Sequence, residues 1–294
     1  MASFLSRLAP LVITLRGSKR KFSTAERTLA DVERLRRHPV AFAPPAKLSK
    51  TVDVAVGSHN GWPVYEISAP GTVPTAHVVY LHGGCYVYQI DPVHWAFIAK
   101  LAVEANVRVV VPVMTLAPDA TADETVPAVA DLVATLIAES DRVSLVGDSS
   151  GGGLALAVAM VLRDRGVAPL HATVLISPWL DISGTDPRLV EIAPRDPWLA
   201  VPGTRAAGEL YRGSLAEDDP LVSPIHGSLA GLGPVTMFSG TRDILNADAT
   251  RFVPLAAAAG VPLDYHEGPG MIHNYPILPM PEGDAARAVI VGIL

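Results

Sequence analysis

One short segment of the sequence has the residue types and spacing of a nucleophile for covalent catalysis. Ser149 lies two residues after Gly147 and two before Gly151, between an apolar β-branched run and an Ala-rich stretch. This pattern predicts a strand, a tight turn and a helix, with small residues where the two backbones crowd. The free N–H groups at the helix start can face an oxyanion that forms at the serine. Taken alone, the pattern also fits an ordinary Gly-rich turn or a phosphate-binding loop.

The spacing of the glycines favours Ser149 over its neighbours as the nucleophile. Ser150 would have Asp148 where the turn is tightest. A nucleophile at Asp148 would have Val146 and Ser150 in the positions that need small residues. We therefore expect the hydroxyl of Ser149 to be the reacting group.

A serine hydroxyl is a weak nucleophile, so it needs a base, an acid that orients the base, and donors for the oxyanion. Asp243 follows the apolar run 235–238, and His273 follows the run 263–266. If these runs are strands of one parallel sheet, both loops open at the same edge as Ser149. Singly, an aspartate here is more often a helix cap and a lone histidine is more often structural. Their joint placement and order favour the catalytic interpretation.

The Gly-rich segment 82–86 is the candidate source of the oxyanion donors. It directly follows the apolar run 77–81, and its glycines allow backbone N–H groups to turn toward a ligand. The expected oxyanion-hole residues are Gly83, Gly84, Cys85 and Ser150. His82 is expected to hold this loop by hydrogen bonds. The alternative interpretation of the segment is a simple Gly-Gly turn.

The composition excludes several other classes of protein. The chain has 294 residues, is 49% hydrophobic and carries a formal net charge of −6, so it lacks the basic footprint of a nucleic-acid-binding protein. Its single cysteine excludes an intrachain disulfide and a cysteine metal cluster, and its nine histidines form no H-E-x-x-H motif. No apolar run approaches the roughly 18 residues that a membrane-spanning helix needs. We therefore expect no metal, no cofactor and no integral membrane segment.

The first 45 or so residues predict helices ahead of the main fold. Met1–Leu15 carries large apolar residues at helical spacing, and a basic cluster follows. That cluster comprises Arg16, Lys19, Arg20 and Lys21. A secretory signal would instead end in a small-residue cleavage site. We expect an amphipathic helix that covers an apolar surface, with contact to a membrane surface as the alternative. The segment Ser23-Thr-Ala-Glu26 predicts a capping box that opens a second helix.

From residue 52 onward, predicted strands alternate with predicted helices. The strands span 52–56, 64–67, 77–81, 107–113, 143–147, 172–176, 235–238 and 263–266. The helices span 94–104, 126–140, 152–165, 247–259 and 284–293. Short apolar strands in this arrangement predict an α/β fold, with a mostly parallel central sheet flanked by helices. Residues 182–224 lack a strong strand signal and predict a partly helical insertion.

With these segments the chain resembles the hormone-sensitive-lipase-like family of α/β-hydrolase carboxylesterases over nearly its whole length. The segments that carry the resemblance are His82-Gly-Gly-Cys-Tyr, Leu116-Ala-Pro, Gly147-Asp-Ser-Ser-Gly-Gly, Ser177-Pro-Trp-Leu-Asp181, Asp219-Pro-Leu-Val-Ser-Pro224, Asp243-Ile-Leu and Gly270-Met-Ile-His273. The resemblance implies an α/β-hydrolase core of residues 46–181 and 225–294. A helical cap, formed by residues 1–45 and 182–224, would cover the acyl pocket.

The resemblance also implies roles for individual residues. Ser149 would be the nucleophile, Asp243 the acid and His273 the base. The oxyanion donors would be the backbone N–H groups of Gly84, Cys85 and Ser150. The family usually has glycine where this chain has Cys85 and alanine where it has Ser150, so the pocket shape can differ while the backbone donors remain.

The sequence thus predicts a serine carboxylesterase that hydrolyses short- to medium-chain acyl esters through an acyl-enzyme on Ser149. The same triad acting on thioester, amide or lactone bonds remains an alternative. A non-catalytic binder of small molecules on this fold is disfavoured because all three triad residues are present. We expect a cytoplasmic protein whose partner is a small-molecule ester and which does not bind nucleic acid. A homodimer is left open.

Overall fold

The computed structural model of the chain describes residues 3–15 and 17–294. Met1, Ala2 and Arg16, which the predicted N-terminal helix and basic cluster include, lie outside the described residues. Within the described part of the chain, eight strands form one sheet in the order β1-β2-β4-β3-β5-β6-β7-β8. The strands are β1 (Asp53–His59), β2 (Trp62–Ser68), β3 (His77–Leu81), β4 (Arg108–Pro112), β5 (Val143–Asp148), β6 (Ala172–Ile176), β7 (Val235–Gly240) and β8 (Leu263–Gly268).

The sheet is mostly parallel, which confirms the predicted fold class. β2 runs antiparallel to both β1 and β4, whereas all pairings from β4 to β8 are parallel. The central strands β3, β5, β6 and β7 are almost entirely buried and rich in Val, Ile and Leu, as expected for a parallel sheet covered on both faces.

Helices cover both faces of the sheet. The helices are α1 (Phe4–Leu15), α2 (Ser18–Lys21), α3 (Ala25–Arg37), α4 (Pro92–Glu104), α5 (Ala122–Glu139), α6 (Ser150–Asp164), α7 (Leu189–Ile192), α8 (Val201–Arg212), α9 (Asn246–Ala258) and α10 (Pro281–Ile293). One core lies under α5, α6 and α9, and the other lies under α4 and α10. Among the described residues, no helix is long and apolar enough to cross a bilayer.

The strand register brings the candidate site residues to one edge of the sheet. Leu81 at the end of β3 pairs with Gly147 at the end of β5, and Asp148 pairs with Ile176 at the end of β6. Gly240 at the end of β7 pairs with Gly268 of β8. The loops that follow β3, β5, β7 and β8 therefore open side by side.

The N-terminal segment and the insertion contact each other above this edge. α3 packs on α8, and the N–H of Gly203 donates to the carbonyl of Phe22 at 2.9 Å. Lys19 Nζ donates to the carbonyls of Ala193 and Asp196 at 2.6 and 2.7 Å. Each contact joins residues 1–45 to the insertion 182–224.

Two predictions for the N-terminal segment are wrong. The cap of α3 is Thr24, whose hydroxyl accepts the Arg27 N–H at 3.3 Å, so the helix begins one residue later than a Ser23 cap would allow. The apolar side of α1 does not cover the protein: its buried residues are Ser6, Pro10 and Ile13. Helical spacing identified the apolar face correctly but could not show which way that face points.

Candidate active site

The backbone of the turn at Ser149 is strained. β5 ends at Asp148 and α6 begins at Ser150, and between them Ser149 has φ 55° and ψ −122°. A non-glycine residue rarely adopts this backbone, which costs on the order of 1–3 kcal/mol. A Cβ on Gly147 would lie 2.1 Å from the Gly151 carbonyl oxygen, and one on Gly151 would lie 2.0 Å from that of Leu81. Both glycines are therefore required by close backbone packing around Ser149.

Asp148 joins this turn to the neighbouring loops. Its carboxylate is fully buried and accepts hydrogen bonds from Tyr80 Oη at 2.7 Å, the Gly83 N–H at 3.0 Å and Asn274 Nδ2 at 2.6 Å. His94 Nε2 lies 3.3 Å away. Burial raises the pKa of Asp148, but the charge of His94 and these hydrogen bonds outweigh it and lower the pKa to about 2.

His94 supplies the positive charge beneath the site. Its ring also contacts the carboxylate of Asp91, with Nδ1 3.0 Å from Oδ1. Burial lowers the pKa of His94, but the charges of Asp148 and Asp91 raise it to about 10. A protonated His94 therefore neutralises Asp148, and together they fix the base of the loop that follows β3.

The loop after β3 presents backbone donors toward the cavity. Gly84, Cys85 and Tyr86 all have positive φ, and Gly84 and Cys85 line the same cavity as Ser149. Among the described residues, the N–H groups of Gly84, Cys85 and Ser150 have no hydrogen-bond acceptor. Free amides that face a cavity are the donors that an oxyanion requires.

Gly83 must be removed from the predicted oxyanion donors, because its N–H already donates to Asp148. Its role is to allow close packing, because a Cβ there would lie 2.9 Å from the Ser149 Cβ.

His82 holds this loop as expected. Its Nδ1 lies 2.7 Å from the carbonyl oxygen of Gly83 and donates to it. Burial, followed by the charge of His94, lowers the pKa of His82 to about 4. The Ser150 hydroxyl accepts the Tyr86 N–H at 3.3 Å, which links the two donor segments.

The predicted acid and base form a buried pair. His273 Nδ1 lies 2.7 Å from Asp243 Oδ2, and both side chains are almost fully buried. The other oxygen of Asp243 accepts the Leu245 N–H at 2.9 Å, which fixes the carboxylate. Burial lowers the pKa of His273, but the charge of Asp243 outweighs it, so the pKa lies above its ordinary value. Trp198 packs edge-on against the imidazole at 5.6 Å between ring centroids.

A second buried carboxylate, Asp196, reaches this pair from the insertion. It accepts the N–H groups of Trp198 at 2.7 Å, Leu199 at 2.9 Å and Ile244 at 2.9 Å. Burial and the nearby charge of Asp243 raise the pKa of Asp196 to about 6.

All three predicted triad residues belong to one site. Ser149 and His273 line a cavity of about 320 Å³, and Asp243 lies behind His273. The N-terminal segment contributes Phe22 to the wall and the insertion contributes Leu199. This volume is at the low end of the range for small-molecule sites.

The sequence pattern did not single out the supporting residues Asp196 and Asn274, and it presented Asp148 only as a rejected nucleophile. No motif of fixed spacing marks any of these three residues in a single sequence. The one available signal was chemical, because an aspartate inside an apolar strand end, such as Asp148, must find buried donors.

A serine at a strained strand–helix turn, next to a buried carboxylate–imidazole pair, defines the class of α/β hydrolases. Residues 78–277 match the model of a family described by its α/β hydrolase fold. Over 241 residues the chain is 33% identical to a triacylglycerol lipase of Mycobacterium tuberculosis, with 80% of this chain and 50% of that protein aligned. The chain thus spans half the length of that relative.

Two further relatives align over most of their length. An acetyl-hydrolase of Streptomyces hygroscopicus is 32% identical over 212 residues, which cover 69% of this chain and 70% of the relative. The crystal structure of an esterase from the bacterial hormone-sensitive lipase family superposes with a TM-score of 0.81 at 28% identity, covering 100% of this chain and 97% of that one. The chain belongs to the hormone-sensitive-lipase-like esterases of the α/β hydrolase fold.

Proposed function

We propose that this protein is a serine carboxylesterase that hydrolyses short- to medium-chain acyl esters. Its coarse class, a carboxylic ester hydrolase, follows from its family and from relatives named as lipase, acetyl-hydrolase and esterase. The proposal adds the mechanism and the preference for chain length. The observation that carries it is the His273–Asp243 contact of 2.7 Å beside the cavity that holds Ser149.

In the proposed reaction, Ser149 Oγ attacks the ester carbonyl while His273 Nε2 takes the hydroxyl proton. The tetrahedral oxyanion is stabilised by the unoccupied N–H groups of Gly84, Cys85 and Ser150. His273 then gives its proton to the leaving alcohol, and an acyl-enzyme remains. Water, deprotonated by the same imidazole, hydrolyses it and restores Ser149.

Asp243 acts through His273. Its Oδ2 accepts a hydrogen bond from the Nδ1–H group, which leaves Nε2 free as the base and stabilises the imidazolium in each transition state. The bond from the Leu245 N–H prevents the carboxylate from rotating away. Exclusion of water around both side chains strengthens this electrostatic interaction.

The cap is proposed to consist of residues 1–45 and 182–224 over a core of 46–181 and 225–294. The support is that Phe22 from the first segment and Leu199 from the second line the cavity, and that α3 packs on α8. In this role the cap closes the acyl side of the cavity and limits the length of the acyl chain. A volume of about 320 Å³ favours a small ester.

An organophosphonate trap tests the proposal. A p-nitrophenyl phosphonate should inactivate the enzyme stoichiometrically, and peptide mass spectrometry should find the adduct on Ser149. Ser149→Ala should lower kcat on p-nitrophenyl butyrate by about 10⁴-fold or more. The matched variant Ser150→Ala should remain active, because its donor is a backbone N–H. An adduct on Ser150, or an active Ser149→Ala enzyme, would refute the assignment.

A further inference from the structure

The helix α1 presents an apolar face to solvent. Six of its seven large apolar side chains are exposed, with Phe4 74% and Leu15 78% accessible, and only Ile13 is buried. The six are Phe4, Leu5, Leu8, Leu11, Val12 and Leu15. At 3.6 residues per turn they fall within an arc of about 120°. A contiguous apolar patch of this kind marks a surface that binds a partner or a membrane.

The opposite side of α1 attaches the helix to the protein. That side consists of Ser6, Pro10 and Ile13, which are buried. The hydroxyls of Ser3 and Ser6 donate to the carboxylate of Glu282 at 2.8 and 3.0 Å. The hydrogen bonds to Glu282 and the burial of Ser6, Pro10 and Ile13 therefore hold α1 in place, and its apolar face lies outside the core.

Charge is distributed very unevenly along the chain. The first 50 residues hold 11 of the 23 Lys and Arg residues but only three of the 29 Asp and Glu residues, a formal net charge of +8. The other 244 residues, with 12 basic and 26 acidic side chains, carry −14. The positive charge is thus concentrated in the segment that contains the exposed apolar face.

Basic side chains flank this face. Arg7 lies at the edge of the apolar arc on α1, and Arg20 is exposed on α2 directly after it. Among the described residues, no carboxylate oxygen lies within 4 Å of these two cations. An exposed apolar arc next to unpaired basic residues is the pattern of a helix that lies in a membrane interface.

We propose that the outward face of α1, with Arg7 and Arg20, docks on a lipid bilayer surface that carries anionic headgroups. The positive charge beside α1 favours an anionic bilayer over a second copy of the chain as the partner of this face. A symmetric dimer through α1 would bring the same cations of two copies together, whereas an anionic surface neutralises them. Ile13, on the inward side of the same helix, lines the cavity. Docking would therefore hold the cavity about one helix diameter, or ~10 Å, from the bilayer.

Vesicle co-sedimentation of the purified full chain tests this proposal. We expect binding to phosphatidylcholine vesicles that contain phosphatidylglycerol, weaker binding to phosphatidylcholine alone, and weakening of the first by salt. The face variant Phe4→Ser/Leu11→Ser/Leu15→Ser should lose most binding. The charge variant Arg7→Gln/Arg20→Gln should bind roughly 25-fold more weakly, or about fivefold for each cation removed.

A matched control removes three exposed apolar residues elsewhere. Val56→Ser/Val73→Ser/Leu255→Ser should bind vesicles like the wild type. Neither set touches the cavity, so hydrolysis of a water-soluble aryl ester should stay unchanged in both, and folding is checked by circular dichroism. A wild type that does not bind anionic vesicles would overturn the proposal. So would a wild-type dimer in sedimentation velocity that the face variant converts to a monomer without loss of vesicle binding.

Discussion

Asp196 Oδ2 accepts the N–H of Ile244 at 2.9 Å, so the insertion is bonded to the loop of the candidate acid. Ile244 directly follows Asp243, and the same Asp196 side chain holds the backbone that leads to Trp198. The two buried carboxylates also interact by charge, which raises the pKa of Asp196.

The first prediction concerns stability against pH. Because burial and Asp243 raise the pKa of Asp196 to about 6, Asp196 is protonated more readily in the folded than in the unfolded chain. The stability that protonated Asp196 contributes is fully present below pH ~4 and is lost as the pH rises through about 6. This loss is on the order of 3 kcal/mol. Asp196→Asn cannot lose a proton, so its free energy of unfolding should vary less between pH 4 and 7. Urea denaturation between pH 4 and 7 measures this free energy of unfolding, and the variant Asp218→Asn, at an exposed residue, is the control.

The same variant should change catalysis in a defined direction. Burial lowers the pKa of His273, while the charges of Asp243 and, less strongly, Asp196 raise it. Since imidazolium cannot accept the Ser149 proton, kcat/KM should fall as pH falls through this pKa. Asp196→Asn removes one negative charge, so the acid limb of the profile should move to lower pH. An unshifted limb with reduced activity would mean that Asp196 acts only as a structural residue.

The second prediction concerns the acid and the base. Asp243→Asn should leave the fold intact and lower kcat by about 10⁴-fold, because the imidazole loses the acceptor that sets its tautomer. His273→Ala should be at least as severe. His266→Ala and His226→Ala serve as controls, since both rings lie outside the cavity lining and pair with other carboxylates. If a control variant were inactive while His273→Ala turned over substrate, the base would have to be reassigned.

The third prediction concerns Asp148. Asn in its place can keep its carbonyl oxygen on Tyr80 Oη and the Gly83 N–H. Its NH₂ group would then face two other donors, His94 Nε2 and Asn274 Nδ2. Breaking a buried charge pair in this way should cost about 3 kcal/mol of stability, and the displaced oxyanion loop should lower kcat roughly 100-fold. The pKa of His94, measured by NMR, should fall from about 10 because its chief counter-charge is gone. The exposed Asp53→Asn is the matched control, and an unchanged His94 titration would contradict the role given to Asp148.

Much of the fold was predictable because apolar runs and glycines act locally. The apolar run 172–176 coincides with β6, and helix α9 begins one residue before its predicted start. The Asn60-Gly61 turn is a signal for the antiparallel pairing of β1 with β2. The antiparallel pairing of β2 with β4 was not predictable, because residue alternation does not show which strands become neighbours. The candidate triad could be predicted because its three residues follow strand ends, whereas Asp196 acts from an insertion whose path depends on tertiary packing.

The fourth prediction concerns the contact between the two proposed cap segments. A Cβ on Gly203 would lie 2.3 Å from the Phe22 Cα and 2.4 Å from the Thr28 Oγ1, so α8 and α3 meet at this glycine. Gly203→Ala should force the two segments apart and cost about 1–3 kcal/mol of stability. It should also raise KM for apolar esters, because Phe22 lines the cavity.

Gly57→Ala is the matched control for this contact, because a Cβ there meets nothing within 4 Å. It should change stability by no more than about 0.5 kcal/mol. Thermal denaturation measures the effect on stability, and separate values of kcat and KM show the effect on substrate binding. If Gly203→Ala left both stability and KM unchanged, the two segments would not form a single cap over the cavity.

The fifth prediction concerns the size of the acyl group. Cys85 lines the cavity beside the proposed oxyanion donors, is 3% exposed and has φ 52°. Where the family resemblance places glycine, this side chain occupies space next to the acyl carbonyl. Each methylene that the site cannot accommodate forfeits about 0.8 kcal/mol of burial. We therefore expect kcat/KM on p-nitrophenyl esters to peak between acetyl and hexanoyl and to fall for chains beyond about ten carbons.

The variant Cys85→Gly distinguishes the role of the side chain from that of the backbone donor at this position. The N–H group remains, and glycine adopts a positive φ without strain, so the variant should stay active and folded. The space that it frees should broaden tolerance for bulkier acyl groups and move the optimum toward longer chains by about one or two methylenes, each worth roughly fourfold in kcat/KM. The acyl series on both enzymes is the measurement. A long-chain optimum in the wild type, or a folded but inactive Cys85→Gly enzyme, would show that side-chain crowding at Cys85 does not set the acyl preference.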